Sequence, residues 1–380
     1  MKKNPDDDQG EELIDIDEKG NSKEKKDEKD RSSKGKYYLF LIIIFLIFVI
    51  IYFLYVSKKN KRSVFDKTKL KNLNLKNRIF YGAEFDYSFI VNETIPDKII
   101  KKYENLAKDG VSIIITPGTI VGDINEDIKG APRIDKDNYI ESYIKLVESI
   151  HKQNSYIIMQ LVHVGLFSGG DIIYSPSINK GFLQDKDSIE MTKEDILRVE
   201  KNFVEASIRA KKAGFDGVEI HACHLTLLAT FLSAKFNRRT DEYGGSYENR
   251  ARIVIEIIKK IREALGDNFV IGIKIDSEGK NESVEEEEFL SAGIMAEEAG
   301  IDYIEVSGNN WNEKNSHDLL YYESTKKLAE KVKIPIVLIG GVNNFEQVEH
   351  IISDSKIEYI GIVRALKKDP ELIKKWSQNK

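Results

Sequence analysis

The chain has 380 residues, 41% of them hydrophobic, so it is long enough to bury a large core. Its net charge of −5 argues against a nucleic-acid partner, which would draw a basic surplus. The single cysteine, Cys223, excludes an internal disulfide and argues against thiolate-rich zinc or iron–sulfur sites.

Residues 1–36 form a tail of mixed charge, rich in Asp, Glu and Lys. It carries too little apolar surface to offset the entropy of ordering, so it is expected to be disordered. Tyr37 to Val56 follows, twenty residues without a charge. A helix of that length spans about 30 Å of hydrocarbon, and tyrosines at both ends suit the interfaces. The long charged tail before it is wrong for a cleaved signal. The expectation is a single-pass membrane protein. Lys34 and Lys36 precede the span, and Lys58, Lys59, Lys61 and Arg62 follow it. The denser cluster after the span places the C-terminal part on the cytoplasmic side. Residues 57–70 read as a basic linker, and residues 71–380 as one folded domain.

Short β-branched runs bounded by turn signals mark eight strands in that domain. They are Arg78 to Tyr81, Val111 to Thr116, Tyr156 to Leu161, Gly217 to Ile220, Phe269 to Ile275, Tyr303 to Val306, Ile336 to Ile339 and Tyr359 to Val363. Helical spacing of apolar residues lies between them, over Asp97 to Lys108, Asn138 to Lys152, Lys193 to Ala213, Tyr247 to Leu265, Val284 to Ala299, Ser324 to Val332 and Phe345 to Ile352. Gly110, Gly214, Gly266 and Gly300 stand where helices stop, and Thr192 before Lys193-Glu194-Asp195 has the form of an N-cap. Alternating strands and helices imply parallel pairing through right-handed crossovers. Eight such units fit a (β/α)8 TIM barrel. An open doubly wound sheet is the alternative, but its GxGxxG fingerprint after the first strand is absent.

A barrel of this kind builds its site at the C-terminal ends of its strands. Those ends offer Gly82, Ala83 and Tyr87; Thr116 to Thr119; Gln160 and His163; His221 and His224; Lys274 and Asp276; Ser307, Gly308 and Trp311; Gly340-Gly341; and Arg364. Glycines after the seventh strand and an arginine after the eighth suit a phosphate, with a tight turn and a local ion pair as the plainer account. His221 and His224 admit three readings. They are metal ligands, since H-x-C-H is suggestive although no further cysteine and no Glu-x-x-His partner supports it. They are hydrogen-bonded structural side chains. Or they stabilise an oxygen that gains negative charge during a reaction. Gln160 offers donors and an acceptor to the edge of a ring amide. Arg239 to Arg250, RTDEYGGSYENR, reads as a turn and helix cap, with Ser246 capping and with Glu248 and Glu256 paired to Arg252 and Lys260.

The stretch from Phe215 to Gly266, with HACH, FLSA and NRRTDEYGGSYENR, resembles the old yellow enzyme family of FMN-dependent ene-reductases, also called the NADH:flavin oxidoreductase family. LKNRI near Asn77, IIITPGT near Thr116, IIMQLVHVG near Gln160, IPIVLIGGV near Gly340 and RALKKDP at Arg364 extend the resemblance in family order. It implies a β/α barrel carrying FMN, with NADH or NADPH as reductant and a small electrophilic acceptor: an activated alkene, quinone or nitro compound. Carried over, Gln160 binds the pyrimidine edge of the flavin, and Gly118 and Ala83 lie near the ring. Gly340, Gly341, Val363 and Arg364 serve the phosphate. His221 and His224 hold the acceptor's oxygen, and Tyr87 matches a tyrosine that covers the substrate in some members. The family's H-G-Y is H-L-T here, so Thr226 stands in place of the proton-donating tyrosine. Lys274 replaces an arginine that faces the flavin, keeping charge but losing fork geometry. Val363 replaces a glycine, and Gly82-Ala83-Glu84 replaces Ala/Ser-Pro-Met. These departures keep a second reading open, a membrane-anchored barrel without catalysis. A third is a barrel enzyme for a phosphorylated substrate. The oligomeric state is left open.

Overall fold

The computed structural model describes residues 35–53, 61–86, 88–91, 93–122, 128, 130–277, 284–308 and 319–378. The chain divides into two units at Lys61 and Arg62. In the first, Gly35–Phe53 is one 19-residue helix, long and apolar enough to cross a membrane, with none of its apolar window buried. Gly35 and Lys36, assigned to the tail by composition, are part of this helix. The rest of the expected tail and residues 54–56 lie outside the described residues.

The second unit starts at Arg62, earlier than the composition-based boundary at 71. The cause is packing. Val64 is fully buried, and Arg62 reaches Glu358 at 2.5 Å and the carbonyls of Ser355 and Ile357. Thr68–Leu70 and Leu73–Leu75 pair as an antiparallel hairpin. Its Leu70, Leu73 and Leu75 enter the interior cluster with Phe80, Tyr303 and Tyr359. Burying each leucine stabilises by roughly 1.5–3 kcal/mol.

Eight parallel strands close the barrel: β1 (Ile79–Tyr81), β2 (Ile113–Ile115), β3 (Tyr156–Val162), β4 (Gly217–Ala222), β5 (Val270–Asp276), β6 (Tyr303–Ser307), β7 (Ile336–Ile339) and β8 (Tyr359–Ile362). Each pairs with its neighbours in sequence; β8 pairs with β1, and β2 with β3. The ring has no open edge, which rules out the doubly wound sheet. Seven helices connect the strands: α1 (Asp97–Lys108), α2 (Ile140–His151), α3 (Lys193–Lys212), α4 (Tyr247–Leu265), α5 (Glu286–Glu298), α6 (Tyr322–Ala329) and α7 (Phe345–Asp354). The glycines after α1, α3, α4 and α5 all take positive φ, as expected of helix stops. Thr192 and Asp195 form a full capping box on α3.

Period-two alternation puts every second strand residue inside the ring. Low in the barrel these are Phe80, Ile113, Ile158, Val270 and Tyr359, all apolar or aromatic and fully buried. Higher up they are Gln160, Glu219, His221, Lys274, Glu305 and Ser307, polar and still buried.

Candidate active site

Register assembles this polar level. Gln160 lies beside Glu219, Glu219 beside Gly272, and Gly272 beside Tyr303. A Cβ on Gly272 would stand 2.1 Å from the Tyr303 ring, so only glycine leaves that ring room. The Tyr303 hydroxyl donates to Glu219 Oε2 at 2.9 Å, and Gln160 Nε2 donates to Oε1 at 2.7 Å. One N–H and the carbonyl of the Gln160 amide remain for another partner, with Gly118 against its Oε1. Lys274 stands between His221 and Glu305 in register, its ammonium 2.8 Å from Glu305 Oε1. Burial disfavours the Lys274 charge, but the surrounding acidic groups, Glu305 foremost and then others including Glu219, together outweigh it and hold the ammonium charged. Burial, then the charge of Glu305, pushes the Glu219 carboxyl up to about 8. Glu219, Tyr303, Gly272 and Glu305 were not singled out from sequence. Their places on one level depend on register between distant strands.

The end of β4 turns sharply. His224 and Leu225 both adopt left-handed backbone, at φ 57° and 58°. The turn is held by Asp276, which accepts the His224 backbone N–H at 2.9 Å. It brings the two rings to a centroid separation of 5.3 Å. Burial, then the Lys274 charge, lowers the His224 imidazole to about 3. Burial, then the neighbouring His224, takes His221 well down also, so both rings are neutral near pH 7. Thr226 does not project as a proton donor. Its buried hydroxyl donates to the Cys223 carbonyl at 2.9 Å and meets His221 Nδ1 at 3.1 Å.

The remaining expected residues divide. Ala83, just after β1, packs on the interior cluster that includes Phe80. Gly340 and Gly341 take φ of 117° and 76° and lead to α7, whose N-cap is Asn344. Gly340 and Gly308 both face the Tyr321 ring, 2.9 and 2.6 Å from an added Cβ, so each is also required by packing. Val363 caps the short helix Arg364–Lys368 and packs on Gly82. Arg364 is exposed, with no ion-pair partner among the described residues. Tyr87 and Trp311 lie outside the described residues. Glu84 turns away from the mouth: it accepts from the Tyr81 hydroxyl at 2.6 Å and pairs with Lys102 and with Lys367 at 2.6 Å.

The Arg239 to Arg250 segment is structural. Arg239 donates to the carbonyls of Pro176 and Met191 and pairs with Asp241. Arg250 donates to the carbonyls of Leu232 and Gly245 and pairs with Glu288. Ser246 caps α4 as expected, but the proposed acid–base pairs differ. Glu256 accepts from Tyr243, Lys260 pairs with Glu200, and Arg252 donates to the Glu242 carbonyl and Asn249.

A family model described as NADH:flavin oxidoreductase / NADH oxidase family matches residues 63–380. The chain belongs to this family. An NADPH dehydrogenase of Bacillus velezensis is 31% identical over 317 residues, 81% of this chain and 92% of its own length. An NADH oxidase of Thermoanaerobacter brockii is 29% identical over 338 residues, 84% of this chain. The chain spans about half of that relative, 51%. A morphinone reductase structure superposes with a TM-score of 0.73 at 21% identity, covering 84% of this chain and 91% of that one. That likeness shows the barrel.

The family is the old yellow enzyme type, with FMN as cofactor and NAD(P)H as reductant. The donor set fits that cofactor. A buried amide with free hydrogen-bonding capacity serves a ring edge, and a buried ammonium serves a ring that gains negative charge. The left-handed turn at Gly340-Gly341 and the exposed Arg364 cation have the chemistry that would suit a phosphate.

Proposed function

We propose that the barrel is an NAD(P)H oxidoreductase acting on an electrophilic acceptor, an activated alkene, quinone or nitro compound. The observation that carries this is the His221–His224 pair, held at the barrel mouth one strand from Gln160. Bound FMN would supply the hydride transfer. Gln160 and Gly118 would fix the edge of the ring, with Glu219 and Tyr303 locking the Gln160 rotamer beneath it. Gly340, Gly341, Val363 and Arg364 would hold the phosphate end. Lys274 would favour negative charge on the ring. The histidine pair would bind the acceptor's oxygen as negative charge builds there.

No phenol stands at position 226. A threonine hydroxyl is a far weaker acid than a tyrosine near pKa 10, and here its proton is already engaged by the Cys223 carbonyl. Quinones and nitro compounds need less help with the proton, so they should be reduced faster than cyclohexenone.

The Gly35–Phe53 helix supports a membrane tether, since 19 residues at 1.5 Å each reach about 28 Å. The barrel would then face the cytoplasm. Retention in the membrane fraction after an alkaline carbonate wash tests the tether, and release into the wash would refute it.

The deciding experiment is an absorption spectrum of the full chain in detergent. It is taken with FMN and then after anaerobic NADPH or NADH. Flavin bands that bleach support the reading. Bands that persist would sever the barrel from nicotinamide nucleotides, and a colourless protein would favour the non-catalytic barrel.

A further inference from the structure

We infer that Glu84 is a positioning residue for the phosphate end of the flavin site, because it fastens the short helix that carries Arg364 to the barrel wall. The inference rests on the flavin reading above and adds to it a residue that acts through Lys367.

Three donors converge on the Glu84 carboxylate, whose side chain is only 5% exposed. The Tyr81 hydroxyl donates from the end of β1 at 2.6 Å, and Lys102 reaches the same oxygen from α1. Lys367, on the helix Arg364–Lys368, lies 2.6 Å from the other oxygen. Two of these partners belong to the barrel wall and the third to the helix after β8. The backbone just before Glu84 meets the same region. A Cβ on Gly82 would stand 2.1 Å from Ile339 and 3.3 Å from Val363, the residues that precede Gly340 and Arg364. Ile339 and Gly361 are partners in register, so the ends of β7 and β8 are neighbours. The Gly82–Glu84 stretch therefore contacts both segments that would hold the phosphate.

The helix needs such a fastening. It has five residues, little more than one turn, and a helix that short is not stable by itself in water. The Lys367 N–H donates to the Val363 carbonyl at 2.9 Å and closes the turn that contains Arg364. Leu366 anchors this turn by burial and Lys367 by charge. An exposed ion pair would be worth little, but Glu84 is buried, and a buried carboxylate stripped of its cation is costly. Burial works against the Glu84 charge, yet Lys102, Lys367 and Tyr81 outweigh it and hold the carboxyl below its usual range. Lys102 is shared with Asp86 at 3.3 Å, so it does not serve Glu84 alone. A methionine, which the family pattern has at this position, would make none of these bonds.

Charge and position predict opposite signs. Removing the carboxylate leaves Lys102 and Lys367 in excess, which by charge alone tightens the binding of a phosphate. Releasing the helix lets Arg364 drift and weakens it.

The test titrates the flavin-free, full-length chain in detergent with FMN and with riboflavin, which lacks the phosphate. Quenching of flavin fluorescence gives both affinities. In Glu84→Met, FMN should bind about 3–10-fold more weakly, part of the about 10–100-fold that a charge-assisted bond to phosphate is worth. Riboflavin should bind as it does to wild type, which also shows that the variant is folded. Glu84→Gln keeps an oxygen for Lys367 and should lose less. Unchanged or tighter FMN binding in Glu84→Met would overturn the inference. Equal losses for FMN and riboflavin would do the same, since they mark a general loosening of the barrel. A wild-type chain that takes neither flavin removes the flavin reading and this inference with it; flavin binding that Glu84→Met leaves intact removes the inference alone.

Discussion

Two polar clusters lie in one short stretch of this chain, and they behave differently. From Asn237 to Arg250 nearly every polar group has a partner. Asn237 bonds the carbonyls of Phe231 and Tyr243, and the guanidinium groups of Arg239 and Arg250 each bond two carbonyls and a carboxylate. From His221 to Thr226 the outer nitrogens of the rings are engaged, while the inner ones converge on a single sulfur. The first cluster ties the β4 loop to α4 and leaves little for a ligand. The second keeps hydrogen-bonding or ligating capacity aimed at one point. Density of polar residues does not separate structure from chemistry; the count of groups still lacking a partner does.

The contrast is sharpest beneath the site, where the polar level is itself structural. Lys274→Met would leave Glu305 buried without its counter-charge. Stability should fall by about 3–5 kcal/mol, read as a lower denaturant midpoint. Adding Glu305→Gln should recover most of the loss, and no recovery would mean that the pair is not coupled. In the outer cluster, Arg250→Ala should cost about 2–3 kcal/mol by stranding the Leu232 and Gly245 carbonyls. FMN affinity of the folded protein should stay the same, and a specific loss of FMN affinity would erase the distinction between the clusters.

Glu219 gives a pH signature. Its folded carboxyl titrates near 8 rather than 4.5, mainly through burial. Between those values the native state holds a proton that the unfolded state has released. Raising the pH through this window therefore removes stability. Glu219→Gln lacks that proton, so its stability relative to wild type should rise from pH 5 to pH 8. Urea melts at four pH values would show it, and parallel curves would refute the assignment.

Much of this was legible in the sequence. Eight β-branched runs and the glycines after helices announced the barrel, because strand period and helix stops are local properties. Gln160, Gly118 and the histidine pair stood out as candidates because they end strands. The hairpin at residues 68–75 was not, since Leu70, Leu73 and Leu75 are too few apolar residues to stand out in a basic stretch. Glu219 and Glu305 hid inside apolar strands, and their partners come from other strands whose register no single segment reveals. Position 226 was read through the residue it replaces, whereas the bond of its hydroxyl to the Cys223 carbonyl depends on how the chain turns after β4. Glu84 stands where the family pattern has a methionine, and its pairing with Lys102 and Lys367 is set by helices further along the chain.

The smallest expected effect concerns the turn that aims the histidines. Leu225 holds φ of 58° directly after His224 at 57°. For an L-residue with a Cβ, left-handed backbone costs roughly 1–2 kcal/mol, and glycine avoids that cost. Glycine also has more freedom to lose on folding, which returns part of the gain. Leu225→Gly should therefore stabilise the barrel by about 1 kcal/mol, seen as a higher denaturant midpoint. If the leucine serves only to fill space, flavin bleaching should not change. If the strain instead aims the histidine pair, the variant should gain stability and hold the acceptor more weakly, read as a raised KM for a quinone. Loss of stability would mean that Leu225 contributes more through packing than its backbone conformation costs.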